Sequence, residues 1–225
     1  MISIHQLHKT YHRGAESVEA VRGVDLEISR GEFVVILGPS GGGKSTLLNL
    51  IGGIDHPTSG TVSVNGFALE KASEESLTRF RRDHIGFIFQ FYNLLPSLNA
   101  VENVSLPLMA KGTSFKHAKE KAIQILSRVG LESRLTHLPS ELSGGEQQRV
   151  AIARSIIAEP ELILADEPTG DLDSVAAQEI TMLMHELNKQ MGLTFVVATH
   201  NLLLTEKADR VFELRDGNIS IKTNV

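Results

Sequence analysis

Apolar and polar residues alternate over residues 1–9, with Ile2, Ile4 and Leu7 on the apolar phase, and again over residues 18–28 with Val21, Val24, Leu26 and Ile28. A period of two fits a strand with one wet face, so these runs predict antiparallel edge strands joined through a polar turn at Arg13-Gly14. Tyr11 falls on the predicted loop between them. Further on, the alternation gives way to unbroken apolar runs at residues 33–37, 85–89, 162–165 and 194–198, the mark of parallel strands covered on both faces. Gly60 to Val64 closes at Asn65-Gly66, and two short runs flank Asp216-Gly217; both dipeptides predict hairpins.

Helical spacing fills the intervals. Residues 44–51 read as a helix stopped by Gly52-Gly53. Ser73 is a predicted N-cap with Glu74 and Glu75 in the first turn, and Arg79, Arg81 and Arg82 gather at the far end as a solvated, dipole-matched cluster. Helical periodicity holds over residues 101–129, with a break at Gly112-Thr113, over residues 143–157, and from Ser174 to about Gln190. Strands therefore stop for about sixty residues and then resume. The expected fold is α/β: one domain over residues 1–225, with a mostly parallel sheet, an N-terminal antiparallel β subdomain, and a helical subdomain inserted at roughly 91–158.

Between the run at 33–37 and the first helix lies Gly38-Pro39-Ser40-Gly41-Gly42-Gly43-Lys44-Ser45-Thr46, which fits G-x-x-x-x-G-K-[ST]. The glycines let the backbone fold back and aim its N–H groups at one anion, at the positive end of a helix. Lys44 is placed to reach β- and γ-phosphates and Ser45 to ligate Mg²⁺. In an open α/β sheet the ligand crevice lies beyond the carboxyl ends of the strands, and other apolar runs deliver Gln90, the Asp166-Glu167 pair and His200 there. Asp166 suits Mg²⁺ through its water shell, Glu167 suits proton acceptance from an attacking water, and His200 suits orientation of that water. Tyr11 is a candidate platform for a flat base.

With 225 residues, 41% hydrophobic and 22% charged, and a formal net charge of −5, a sizeable core is available, and a dedicated nucleic-acid surface is not expected. The absence of cysteine excludes disulfides, thiolate zinc sites and cysteine nucleophiles. His5, His8 and His12 do not converge on a metal. No run reaches the roughly 18 apolar residues of a membrane span, and no signal-peptide pattern opens the chain. The expected location is the cytoplasm, with any membrane work done by docking. The segment Phe91-Tyr92-Asn93-Leu94-Leu95-Pro96 is too apolar for a plain surface loop and is the predicted docking element.

Leu142-Ser143-Gly144-Gly145-Glu146-Gln147 combines a capping box with two glycines that bare N–H groups at a helix start. It makes a second anion site, out of reach of its own phosphate loop and suited to completion by a second copy facing head to tail. With these residues the chain resembles the nucleotide-binding subunits of ABC transporters, over essentially its whole length. The resemblance implies a P-loop NTPase core. Gly38 to Thr46 is the Walker A loop, Leu162 to Asp166 is Walker B, Glu167 the catalytic base, and Leu142 to Gln147 the signature. It further implies that Tyr11 stacks on adenine, that Gln90 contacts Mg²⁺ and senses a membrane partner, and that Asp173 and His200 are the D-loop and switch residues. A homodimer would hold two ATP molecules, each between one Walker A loop and the opposite signature (Ser143, Gly144, Gly145). An integral membrane permease would seat the dimer peripherally on the inner face of the cell membrane. Gly42 where serine is common, and Gly170-Asp171 where Ser-Ala is usual, are departures that remove no reacting group. Pro168-Thr169-Gly170 and the segments around Gln90 and Ser73 are most similar to the lipoprotein-release, macrolide-efflux and antimicrobial-peptide-resistance group. The competing expectation is a mechanical or regulatory module of a cell-division type complex.

Overall fold

The computed structural model describes residues 1–14 and 16–222; the last residues of the expected 1–225 domain lie outside it. β1 (Ile2–Arg13) and β2 (Glu16–Ile28) form a long ribbon, β3 (Phe33–Leu37) leads into α1 (Lys44–Ile51), and β4 (Ser59–Val64) turns into β5 (Phe67–Ala68). α2 (Glu74–His84) precedes β6 (Ile85–Ile88). Next come α3 (Ala100–Ala110), α4 (Phe115–Arg128) and α5 (Gly144–Ile156). The chain then returns through β7 (Leu162–Asp166), α6 (Ser174–Met191), β8 (Thr194–Thr199), β9 (Arg210–Arg215) and β10 (Asn218–Ile221).

Two sheets result. An antiparallel sheet runs β2-β1-β4-β5, and a six-stranded sheet runs β10-β9-β3-β8-β7-β6, parallel throughout except for β10. All residues of β3 and β8 are buried, and the pleat sends alternate side chains to opposite sides. Phe33, Val35 and Leu37 pack with α3, α5 and α6, while Val34 and Ile36 pack with α1 and the antiparallel sheet. Parallel strands need helical cover on both faces; here one cover is a helical layer and the other is α1 with the ribbon. Helices α3 to α5 follow β6 and precede β7, its direct parallel partner, so the helical stretch is an excursion from the sheet, as the sequence predicts.

Several expectations need correction. β1 is not an edge strand: it pairs with both β2 and β4. The phase of its buried residues slips between Ile4 and Leu7 because the register shifts there and Gln6 sits at φ +44°, a bulge that inserts one residue. Tyr11 is not on a loop; it lies in β1 opposite Val18. β6 ends at Ile88, leaving Phe89 outside. Arg81 is not merely solvated, since it donates to the Gly53 carbonyl and to Thr78, whereas Arg79 and Arg82 pair with Glu75 and Asp83. The segment after Gln90 is only partly open: Phe91 is 72% and Leu95 47% exposed, but Leu94 packs against the core. Buried Asn103 of α3 fastens that segment, accepting from the Leu95 N–H at 2.8 Å and donating to the carbonyls of Leu95 and Leu98.

Candidate nucleotide site

The phosphate loop is shaped by backbones far away in sequence. Gly43 sits at φ +99°, and a Cβ there would lie 2.2 Å from the Ala20 carbonyl oxygen; a Cβ on Gly38 would lie 2.1 Å from that of Leu214. Only glycine fits between the loop and these strands. The Gly38 N–H donates to the Thr199 carbonyl at 3.2 Å, tying the loop to the tip of β8. A cavity of about 280 Å³ opens at the loop, lined by Ser40, Gly41, Lys44, Ser45, Gln90 and Glu167 among others. The structure thus brings together most of the predicted site.

Lys44 is buried and donates to the Gly38 and Pro39 carbonyls at 2.8 and 3.1 Å. Its Nζ also stands 3.2 Å from Glu167 Oε1. The other Glu167 oxygen is 3.0 Å from His200 Nδ1 and accepts from the Thr199 hydroxyl at 3.1 Å and the His200 N–H at 3.2 Å. Burial pushes the Glu167 carboxyl up, but the bonds from His200 and Lys44 and the Lys44 charge outweigh it and hold the group below its ordinary value. Glu167 has φ +46°, a left-handed conformation rare for a long side chain and held here by those contacts.

Asp166 shows the opposite balance. Burial raises its pKa, the neighbouring Glu167 charge adds to the rise, and the Ser45 hydroxyl offsets part of it. Its Oδ1 is buried without a partner. An orphaned carboxylate oxygen beside a serine hydroxyl fits a divalent cation. Mg²⁺ is an ion bound through a few protein oxygens together with phosphates and water, and Asp166 and Ser45 present such oxygens. Gln90 donates to Asp171 Oδ1 at 3.2 Å while lining the cavity.

Tyr11 stands beside the loop's end. Its hydroxyl donates to Asp55 at 2.7 Å and faces Thr46, and the Lys9 ammonium lies 4.8 Å from its ring centroid. Burial raises the hydroxyl's pKa and the bond to Asp55 adds to it. Asp55 also accepts from Lys9 at 2.7 Å, so the ring is braced on one side.

Ser143, Gly144, Gly145 and Asp173 are not brought to this cavity. They line a second one of about 250 Å³ with Asp171 and Arg149. Ser143 caps α5 in a capping box with Glu146, and Asp173 caps α6 by accepting from Val175 and Ala176 N–H groups. Sequence reasoning missed Thr199, Asp171, Ala20, Lys9 and Asp55. Thr199 alone carried a local signal, as the last polar residue of a buried run; the others depend on long-range pairing.

A glycine loop between a buried parallel strand and a helix, with a carboxylate pair ending a neighbouring strand, defines a phosphate-loop nucleoside triphosphatase. Residues 21–170 match the ABC transporter family, and the chain belongs to that family as one of its ATP-binding, ATP-hydrolysing cassettes. It is 47% identical over 219 residues to the lipoprotein-releasing system ATP-binding protein LolD of Legionella pneumophila (strain Lens), covering 97% of this chain and 96% of that one. It is 48% identical over 219 residues to the macrolide export ATP-binding/permease protein MacB of Bdellovibrio bacteriovorus, 97% of this chain and 33% of MacB. The dimeric post-hydrolysis structure of the ATP-binding cassette MJ0796 bound to ADP and Pi superposes with a TM-score of 0.90 at 42% identity, covering all of both chains.

Proposed function

We propose that two copies of this chain close on two ATP molecules with Mg²⁺, hydrolyse them, and drive a separate integral membrane permease of the lipoprotein-release and macrolide-export kind from the inner face of the membrane. Among the described residues no helix is long and apolar enough to cross a bilayer, in keeping with a cassette that acts through a partner. Residues 91–158 serve as the helical subdomain and carry Ser143, Gly144 and Gly145 to the other copy's nucleotide.

The observation that carries this reading is the Lys44–Glu167–His200 chain of contacts at the mouth of the phosphate loop. On ATP binding Lys44 exchanges Glu167 for phosphate oxygens, freeing the carboxylate to accept a proton from the attacking water while His200 orients it. Ser45, Asp166 and Gln90 would hold Mg²⁺, which would neutralise phosphate charge as the bond to the leaving group breaks. Tyr11 offers its face to adenine, and Asp173 reaches the dimer contact beside the signature.

The permease contact is assigned to Phe91 and Leu95, exposed beside a cavity of about 420 Å³ lined by Phe87, Phe89, Pro107, Arg81 and Arg154 among others. Tagged wild type and Leu95→Glu, recovered from native membranes, test the assignment. Wild type is expected to retain an integral membrane protein that stimulates its ATPase, and the variant to bind ATP equally but lose that protein. Equal recovery with both, or none with either, refutes the docking assignment.

A further inference from the structure

Tyr11 is 40% exposed, yet its hydroxyl is taken up by the Asp55 carboxylate at 2.7 Å and not left to water. A tyrosine placed only for packing does the opposite: it buries the ring and turns its hydroxyl to solvent. Asp55 is itself held, accepting from the Lys9 ammonium and from the His56 N–H, each at 2.7 Å, while Lys9 also donates to the His56 carbonyl at 2.8 Å. The Lys9 side chain is only 13% exposed, so its ammonium has exchanged most of its water for these partners. It lies 4.8 Å from the Tyr11 ring centroid, which closes one face of the ring with a cation and leaves the other for a flat ligand. Asp55 follows directly on α1: its N–H and that of Ile54 donate to the Asn49 carbonyl of that helix at 3.3 and 2.9 Å. The first turn of α1 carries Lys44 and Ser45, and Thr46 there faces the Tyr11 hydroxyl. One short helix thus carries the phosphate loop at its start and the fastening of the Tyr11 ring at its end.

We infer that Asp55 and Lys9 are positioning residues for the base of the nucleotide: they fix the Tyr11 ring in the orientation the base meets and tie it to the helix that carries the phosphate loop. This rests on the proposal above that Tyr11 offers its face to adenine. A tyrosine on an open ribbon turns about two side-chain bonds, and a base that stacks on it must first stop that motion, which lowers affinity by about 3–10-fold. Asp55 stops it before ATP arrives. Lys9 holds Asp55 in place and blocks the rear of the ring, so that the base enters from one side. Because the fastening is on α1, the spacing between ring and phosphate cradle is set by that helix and not by the β1–β2 ribbon. A ligand that spans both gains from this; a triphosphate without a base does not.

The test is a double-mutant cycle on the full chain. Asp55→Ala, Asp55→Asn and Lys9→Met are each made in wild type and in Tyr11→Ala, and the affinities for MgATP and for inorganic tripolyphosphate are measured by titration calorimetry. Asp55→Ala and Lys9→Met are expected to weaken ATP by about 3–10-fold while tripolyphosphate stays within about 2-fold, and in the Tyr11→Ala chain the same substitutions should move ATP by less than about 2-fold. Asp55→Asn keeps an acceptor for the Tyr11 hydroxyl and falls between wild type and Asp55→Ala. Should Asp55→Ala not fold, Lys9→Met read through the same cycle decides the question. Equal losses for ATP and tripolyphosphate, or a loss just as large in the Tyr11→Ala chain, overturn the inference, because Asp55 and Lys9 would then support the loop and not the ring. Tyr11→Ala alone separates this from failure of the stacking proposal. If it weakens ATP and tripolyphosphate equally, the stack and the inference fall together. If it weakens ATP selectively while the Asp55 and Lys9 substitutions leave ATP at wild-type affinity, only the inference falls.

Discussion

Lys44 and Glu167 satisfy each other before nucleotide arrives, and replacing Glu167 by Gln separates that role from catalysis. The ion pair spans 3.2 Å with side chains only 6% and 14% exposed. At an effective dielectric constant of about 20 its gross attraction is about 5 kcal/mol. Desolvation offsets much of this, and Lys44 keeps two carbonyl acceptors that prevent a fully orphaned charge, so the net loss in Glu167→Gln is about 2 kcal/mol. For a chain of this size that lowers the melting temperature of the nucleotide-free protein by about 4–8 °C. ATP supplies Lys44 with phosphate oxygens, so with saturating ATP and Mg²⁺ the variant should melt at or above wild type. Turnover should fall by about 10²-fold or more. The pH dependence has a definite sign. Glu167 is held below its ordinary pKa, so the pair's contribution is present above the unfolded value of about 4.3 and is lost as pH falls through the lowered one. The variant lacks this acid limb. Scanning fluorimetry from neutral to acid pH, with and without nucleotide, reads all of this. An unchanged apo melting temperature, or a deficit that persists with ATP, refutes the reasoning.

Asp166→Asn should raise the apo melting temperature: its folded pKa is raised, so folding loses stability as pH climbs from about 3.9 through the raised value, and an amide removes that loss. The same variant should lose the Mg²⁺-dependent part of ATP stabilisation; apo destabilisation at neutral pH would refute the burial argument. Tyr11→Ala should weaken ATP by about 1–3 kcal/mol while hardly affecting bare triphosphate, as expected for a stacked base. Tyr11 and Tyr92 are the only tyrosines and tryptophan is absent, so tyrosine emission on ATP addition, with Tyr11→Phe as control, reads the contact directly. Equal losses for both ligands would make Tyr11 structural.

The change from alternating to unbroken apolar runs separated the two sheets in the sequence, because a wet face and a covered face leave different periods. The phosphate loop was legible for a local reason, its strand, turn and helix being consecutive. The continuation of β1 past Lys9 was not, since Thr10, Tyr11 and His12 are partly or fully exposed and a strand polar on both faces has no apolar period; pairing with residues 17–19 makes it one. Asp55 and Lys9 join Tyr11 only through that ribbon. Arg154 carried no signal either: helical spacing gives it a place on α5, and its partners are carbonyls, whose direction no side-chain pattern records.

The strand that launches the phosphate loop has an implication for synthesis. β3 pairs along one edge with β8 and along the other with β9, and the Gly217 N–H reaches back to the Gly42 carbonyl. Both neighbours come from the last third of the chain. While the ribosome is still making residues 50–190, β3 therefore has neither edge partner, and the loop lacks the Thr199 and Leu214 backbones that shape it. Nucleotide cannot assist the folding of the nascent chain until the final hairpin emerges. For most of its synthesis the growing polypeptide must keep an unpaired, wholly apolar strand from pairing with the wrong edge.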